Sequence, residues 1–281
     1  MELILQAALI GLVQGLTEFI PVSSSAHLEL APWLFGWPRG GLLGSLSFDV
    51  FLHLGTLIAL LGYFARDWIR LLRAAGASLI ERRIGQDPDR RLAWLLILAT
   101  LPAAAIGFVG EDLINKVLHG DSDGLRLAIA GFVVVGAGAL WLADRFGARR
   151  DRIEQLTAGK AVTIGLSQAL ALLPGISRSG ATMSAGLLFG LTREAAARFS
   201  FLLATPITLG AGLYGSRHLL SEAHNGNEWL AIGAGFAVAT LSGILAIGFL
   251  LRWLRTRSMT IFSVYRMAFA ALVVVLVVVG H

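Results

Sequence analysis

Long runs of apolar residues alternate along the chain with shorter segments rich in arginine. The apolar runs cover residues 48–65, 92–110, 125–143, 229–251 and 259–280. A transmembrane helix needs about 20 predominantly apolar residues to cross about 30 Å of hydrocarbon. Several runs reach that length, so the pattern predicts membrane-spanning helices.

Two further apolar segments are interrupted by proline and polar residues. Residues 1–35 are broken near Pro21, and residues 161–190 are broken at Pro174-Gly175. Proline lacks a backbone N–H and its ring clashes with the preceding turn, so it ends or kinks a helix. Each segment therefore predicts a re-entrant hairpin, a helix pair that enters the membrane and returns to the same side.

The composition agrees with a membrane protein. Of the 281 residues, 56% are hydrophobic and only 15% are charged, against about 25% charged in soluble domains. The chain has no cysteine, which excludes disulfides and thiolate metal sites. The net charge of +5 is explained by basic loops that set orientation, so no nucleic-acid partner is expected.

The basic residues indicate how the chain crosses the bilayer. Most of the 23 lysines and arginines lie in residues 66–91, 145–160, 193–198 and 252–257, whereas the segments 110–124 and 221–229 are acidic or neutral. The positive-inside rule places the four basic regions in the cytoplasm. Both termini are then outside, and the two hairpins enter from opposite sides.

The two halves of the chain share a short pattern. "IGLVQGL" at 10–16 resembles "IGLSQAL" at 164–170, and a proline and a serine-rich turn follow each. The prediction is one all-α polytopic membrane domain, with six transmembrane helices plus two re-entrant hairpins in an inverted-topology repeat. The first repeat is 1–145 and the second 160–281, each with one hairpin and three spans. The alternative is that the two short apolar segments resemble each other by chance.

A first polar cluster surrounds the break at Pro21. It contains Gln14, Glu18, Ser23, Ser24 and His27. Gln14 and Glu18 are four residues apart and share a helix face. The free N–H groups of a half-helix starting near the serines would point at an anion. An ionisable group inside a membrane segment usually marks function, so Glu18, Ser24 and His27 predict acid–base or nucleophilic chemistry. The alternatives are capping serines and a hydrogen-bonded interior histidine.

A second polar cluster, "LPGISRSGAT" at 173–182, occupies the matching place in the other half. It supplies Ser177, Arg178, Ser179 and Thr182. A guanidinium binds phosphate oxygens in a bidentate manner, and backbone N–H groups at a turn complete such a site. These residues predict a phosphate-binding site, with a snorkelling arginine as the alternative.

With these motifs the chain resembles the bacterial undecaprenyl-diphosphate phosphatases of the bacitracin-resistance type. The family's first motif consists of Glu or Gln, any three residues, and then Glu. It reads "QGLTE" here, and "PVSSSAH" follows it. Its second motif, PGxSRSxxT, reads "PGISRSGAT". The length and the two-halved apolar pattern are also similar, so the resemblance covers essentially the whole chain.

The resemblance implies hydrolysis of a polyprenyl diphosphate to the monophosphate in the bacterial cytoplasmic membrane, which recycles the lipid carrier of cell-wall synthesis. It also implies a divalent cation, Mg²⁺ or Ca²⁺, at the first motif. Because Gln14 replaces one carboxylate, Glu18 and Gln14 are its expected ligands, with help from diphosphate oxygens. Three routes stay open: Ser24 attacks with His27 as base, His27 attacks, or water attacks directly. A homodimer is a further expectation.

Two other functions compete with this interpretation. A transporter or flippase of polyprenyl phosphate would use the same anion site without a nucleophile. A type 2 phosphatidic acid phosphatase shares only "SSAH" and "SR", and it requires a histidine soon after the arginine, which "SRSGATMSAG" lacks. Two polar residues receive structural interpretations. Arg266 snorkels towards the cytoplasm, and His53 either borders the cavity or makes a packed polar contact.

Overall fold

The computed structural model describes residues 1–37, 41–118, 122–221 and 225–280, apart from the side chains of 46, 111–118 and 214–221. Within these ranges the α-helices are α1 Glu2–Phe19, α2 Ser24–Leu34, α3 Leu46–Tyr63, α4 Ala65–Ile80, α5 Pro88–Leu118, α6 Asp123–Phe146, α7 Ala158–Ser167, α8 Arg178–Leu188, α9 Arg193–Ser221, α10 Gly226–Leu254 and α11 Thr260–Val278. Short 3₁₀ turns occupy Leu42–Gly44, Ile153–Gln155 and Gln168–Leu172. No β-strand occurs in the described ranges beyond a single bridge.

Six of these helices have the length and apolar composition to cross a membrane. They are α1, α6, α10 and α11 in full, with Pro88–Gly110 of α5 and Arg193–Leu213 of α9. The helix α3, predicted as a span, bends by 78° into α4. The chain is therefore an all-α multi-pass membrane protein, as predicted. Helix α4, inside the arginine-rich segment 66–91, is an element that the sequence analysis did not predict.

Both predicted helix breaks are present. Helix α1 ends at Phe19 and α2 begins at Ser24, while α7 runs through its 3₁₀ turn and α8 begins at Arg178. The residue before each second helix has a positive φ, 77° at Ser23 and 74° at Ser177. Such a φ is uncommon for a residue other than glycine. The two breaks thus share a similar unusual backbone conformation, and in each pair the two helices contact each other.

The two halves pack crosswise. Helix α1 packs along α10 and α7 along α5, while α3 contacts α9 and α6 contacts α11. A Cβ added at Gly11 would lie 2.2 Å from the carbonyl oxygen of Gly235, and one added at Gly165 would lie 1.9 Å from that of Ala99. Only glycine allows membrane helices to approach this closely. Gly11 and Gly165 hold the same place in the two "IGL" words, so equivalent helices make equivalent contacts.

This arrangement fits the predicted repeat, and the opposite insertion of the halves stays a prediction. The proposed boundaries, 1–145 and 160–281, also stay predictions. The outer segments 110–124 and 221–229, on which the orientation depends, lie partly outside the described residues.

The interpretation of Arg266 as a snorkelling side chain is wrong. Arg266 is fully buried and donates hydrogen bonds to backbone carbonyl oxygens at both helix breaks and on α6. The guanidinium stays inside because these carbonyls satisfy it there. It links the two breaks behind the polar clusters.

Candidate active site

An ion pair joins the two polar clusters. Glu18, in the last turn of α1, is only 7% exposed, and its Oε1 accepts a hydrogen bond from Nη2 of Arg178, the first residue of α8. The other terminal nitrogen of the guanidinium, Nη1, donates to Thr208 Oγ1 at 2.6 Å and to the carbonyl oxygen of Ala204 at 3.4 Å. The guanidinium is therefore fixed by α9 while it faces the carboxylate.

Three polar side chains lie close to the second carboxylate oxygen of Glu18, Oε2. Ser24 Oγ donates to Oε2 at 2.6 Å, and Gln14 Nε2 donates to it at 3.2 Å. His53 Nε2 lies 3.5 Å from the same oxygen. Because Ser24 is the hydroxyl in direct contact with a carboxylate, Glu18 is the group placed to receive the serine proton.

His27 lies apart from Ser24. Its Nδ1 is 2.7 Å from the carbonyl oxygen of Ser23, and its Nε2 is 2.8 Å from the hydroxyl of Tyr265. The ring stacks on Phe269 with centroids 4.2 Å apart. A carbonyl oxygen only accepts, so Nδ1 carries a hydrogen, and in the neutral ring Nε2 then accepts from Tyr265. Both ring nitrogens are occupied, and no hydrogen bond joins His27 to Ser24.

The hydroxyl groups of the second cluster support α8. Ser177 Oγ accepts from the Gly180 N–H at 3.0 Å and lies 3.2 Å from Ser179 Oγ. Thr182 Oγ1 donates to the carbonyl of Arg178 at 2.9 Å and lies 2.6 Å from Ser200 Oγ. The structure therefore brings Arg178 to Glu18 and turns these three hydroxyls towards the protein.

The start of α2 differs from the start of α8. Ser23 precedes α2, and its side chain makes no capping bond to the helix; Ser23 Oγ lies 3.1 Å from Ser25 Oγ instead. The first N–H groups of a helix have no partner within it, and they attract anions. At the start of α2 these groups belong to Ser24 and the residues that follow it.

Four polar residues of this region were missed or left undecided by the sequence analysis. They are His53 on α3, Ser200 and Thr208 on α9, and Tyr265 on α11. A histidine within an apolar run was a usable signal for His53, since ionisable groups in membrane segments usually mark function. The other three belong to common hydroxyl residues in helices remote in sequence, and no local pattern singles them out.

The described part of the chain offers few ligands for a divalent cation. No group of three or more histidine, aspartate or glutamate residues that could hold a metal occurs there. One observation favours a cation: Gln14 Oε1 is buried and has no hydrogen-bond partner. Amide and carboxylate oxygens are ligands that Mg²⁺ and Ca²⁺ accept. Gln14 and Glu18 thus fit a cation whose remaining ligands come from substrate and water.

The fold and the site together define a multi-pass membrane protein with a buried ion pair and an adjacent serine at two helix breaks. The chain belongs to the family described as "Bacitracin resistance protein BacA", whose match covers residues 7–272. This confirms the family resemblance seen in the two motifs.

Several curated relatives match over nearly their whole length. A protein of Thermomicrobium roseum named "Undecaprenyl-diphosphatase" is 46% identical, with 97% of each chain covered. A protein of the same name from Desulforudis audaxviator is 45% identical over 96% of this chain and 97% of the relative. Another, from Pelobacter propionicus, is 41% identical over 99% and 98%.

Proposed function

We propose that this protein hydrolyses undecaprenyl diphosphate to undecaprenyl phosphate and inorganic phosphate, the reaction that recycles the lipid carrier of cell-wall synthesis. The family and the names of its relatives support this activity, and none of them supports the flippase alternative. The observation that carries the proposal at the level of residues is the contact of one carboxylate, Glu18, with both Ser24 and Arg178.

Arg178 and the start of α2 bind the diphosphate. A guanidinium has five N–H donors, and the named bonds to Glu18, Thr208 and Ala204 use three. Two donors are left over from these three bonds, and guanidinium N–H groups suit phosphate oxygens. Phosphoryl transfer depends mostly on positioning and on neutralising charge, and these donors supply both. The hydroxyls of Ser177, Ser179 and Thr182 act mainly by holding α8 in place.

Ser24 is the nucleophile that the geometry favours. Its Oγ attacks the terminal phosphorus while its proton passes to Glu18 Oε2, and the bond from phosphorus to the bridging oxygen breaks. The leaving group is a phosphate monoester with a second pKa of about 6, so it departs without needing a strong acid. Water then attacks the phosphorus of the phosphoserine, and the bond from phosphorus to Ser24 Oγ breaks. Glu18 returns its proton to Ser24 Oγ, and the phosphoryl group leaves with the water oxygen as inorganic phosphate. Attack by His27 would first break its bond to Tyr265.

A divalent cation, Mg²⁺ or Ca²⁺, is part of the proposal. Glu18 and Gln14 Oε1 would hold it together with diphosphate oxygens. When bound, it would neutralise negative charge on the transferred group and the leaving group.

The protein acts within the lipid bilayer. We propose the bacterial cytoplasmic membrane as its location, with both termini on the outer side and the site reached from that side. A homodimer remains a proposal.

The direct test is phosphate release. Protein purified in detergent is given C55 diphosphate, with and without a chelator, and inorganic phosphate is measured over time. Release at a rate proportional to enzyme supports hydrolysis. Transfer of the intact lipid across liposomes, with no phosphate released, would instead establish the carrier function.

A further inference from the structure

We propose that Arg266 is a positioning residue, a fixed internal cation that holds the two helix breaks at the distance the reaction needs. The inference rests on the proposed hydrolase function and adds to it a residue that neither sequence motif contains. Arg266 lies on α11, and it touches neither Glu18 nor Ser24 among the contacts that define the site.

The guanidinium of Arg266 bonds to both breaks at once. Nη1 donates to the carbonyl oxygen of Pro21 at 3.3 Å, at the first break. Nη2 donates to the carbonyls of Gly175 at 2.7 Å and Ile176 at 3.1 Å, at the second. Nε donates to the carbonyl of Val133 on α6 at 3.2 Å. All three nitrogens are therefore used, each on backbone oxygen.

The charge of Arg266 is balanced by backbone dipoles. The side chain is fully buried, and within the described chain it forms no ion pair. The carbonyls of Pro21, Gly175 and Ile176 lie in the two breaks, after the end of α1 and after the 3₁₀ turn that ends at Leu172, whereas the carbonyl of Val133 lies within α6. Carbonyl oxygens without a partner in a helix carry partial negative charge. In carriers built from broken helices, unwound carbonyls and helix ends of this kind coordinate a coupling cation. Here a side chain of the protein itself occupies that place.

The position of Arg266 couples it to the reacting groups. Pro21 precedes Ser24 by three residues, and Ile176 precedes Arg178 by two. A shift of either carbonyl therefore moves one of these two groups relative to the other. A Cβ added at Gly136 would lie 2.0 Å from Arg266 Nη2 and 2.8 Å from the carbonyl oxygen of Ile176. Gly136 thus provides the space in which the guanidinium sits.

The test separates charge from packing. Arg266→Met fills much of the volume without charge or donors, whereas Arg266→Ala leaves space for an added guanidinium ion. We expect both variants to lose about 100-fold in kcat, the size of effect that a 1 Å misplacement produces, with a smaller change in KM. Millimolar guanidinium should restore a measurable part of the activity to Arg266→Ala and none to Arg266→Met. Sodium at the same concentration should restore neither.

Arg198→Ala is the matched control, since it removes an arginine that is ion-paired with Asp67 elsewhere. A folded Arg266→Met protein with wild-type kcat would overturn the inference, as would an Arg266→Ala protein that guanidinium leaves inactive. If neither variant purifies in folded form, the Gly136→Ala variant tests the positioning role of Arg266 instead. It keeps the arginine and displaces it, so we expect a lower kcat, and an unchanged kcat would overturn the inference. Failure of the wild-type protein to release phosphate would instead reject the proposed function.

Discussion

Glu18 and Arg178 stand 160 positions apart in the sequence and form one ion pair between the two helix breaks. Each residue belongs to a different half of the chain. The pair therefore exists only when both hairpins are in place, and it sets the carboxylate of Glu18 and the guanidinium of Arg178 side by side.

Loss of either partner should cost most of the activity. We expect Glu18→Gln and Arg178→Ala each to lower kcat/KM by about 10²–10³, the range for losing one group that stabilises transition-state charge. Because the two side chains act as a unit, the double variant should be little worse than the poorer single variant. Phosphate release measures this, with Arg198→Ala as the control. Fully additive losses would show that the pair does not act together.

Ser24 and Ser25 offer a matched comparison. Ser24 donates to Glu18, whereas Ser25 lies 3.1 Å from Ser23 Oγ. We expect Ser24→Ala to abolish most turnover and Ser25→Ala to keep it, because only the first removes the proposed nucleophile. Rapid acid quenching of the wild-type protein with labelled substrate should trap an acid-stable phosphoserine. An acid-labile adduct that is lost in His27→Gln would assign the attack to His27, and no adduct at all would favour water.

His53 should act as a hydrogen-bonding side chain next to the substrate. Its ring is partly exposed, at 31%, while Nε2 lies 3.5 Å from Glu18 Oε2. Glutamine keeps an N–H donor of similar reach and leucine does not. We therefore expect His53→Gln to stay within a few-fold of wild type and His53→Leu to lose about tenfold, the value of roughly one hydrogen bond. Equal kinetics for the two variants would remove His53 from the site.

Gln14 should control the requirement for a divalent cation. Gln14→Glu places a second carboxylate beside Glu18, so a cation would bind more tightly. We expect half-maximal activity at a lower Mg²⁺ or Ca²⁺ concentration than in wild type. The cation should also raise the melting temperature of this variant more, because binding to the folded state stabilises it. If a chelator affects neither activity nor melting in either protein, the cation proposal is wrong.

The predicted orientation can be tested by cysteine labelling, since the natural chain has no cysteine. Gln86 and Asn227 are both exposed and are predicted on opposite sides of the membrane. In intact cells, with the outer membrane opened where there is one, an impermeant thiol reagent should label Asn227→Cys. It should label Gln86→Cys only after lysis. The reverse result would invert the topology.

The sequence was sufficient to predict the helix breaks and the residues near them. Proline disfavours a continuous helix, yet Pro32, Pro102 and Pro206 lie inside helices. The polar residues beside Pro21 and Pro174 were therefore the further local signal, and they are conspicuous in an apolar segment without any structure. For these features, residues that are neighbours in the sequence determine the local structure. The sequence analysis placed the two polar clusters at matching breaks of the two halves, but it did not predict the direct contact of Glu18 with Arg178.

The partners of individual side chains could not be predicted in the same way. In one of the three open routes His27 was the base for Ser24, yet the ring of His27 is hydrogen-bonded to Tyr265, 238 positions away. The role of Arg266 likewise depends on how α11 packs against α6 and reaches both breaks. Sequence spacing gives the shared face of a helix, but the neighbour across that face depends on the packing of remote helices.

The close glycine contacts of α1 with α10 and of α7 with α5 have a mechanical consequence. In each half of the chain, the first helix of the hairpin packs closely against a long helix of the other half: α1 against α10, and α7 against α5. A rocking motion of one half against the other would have to separate both backbone contacts at Gly11 and Gly165. These contacts oppose such a motion, so we expect the substrate, rather than one half of the protein, to move during entry and release.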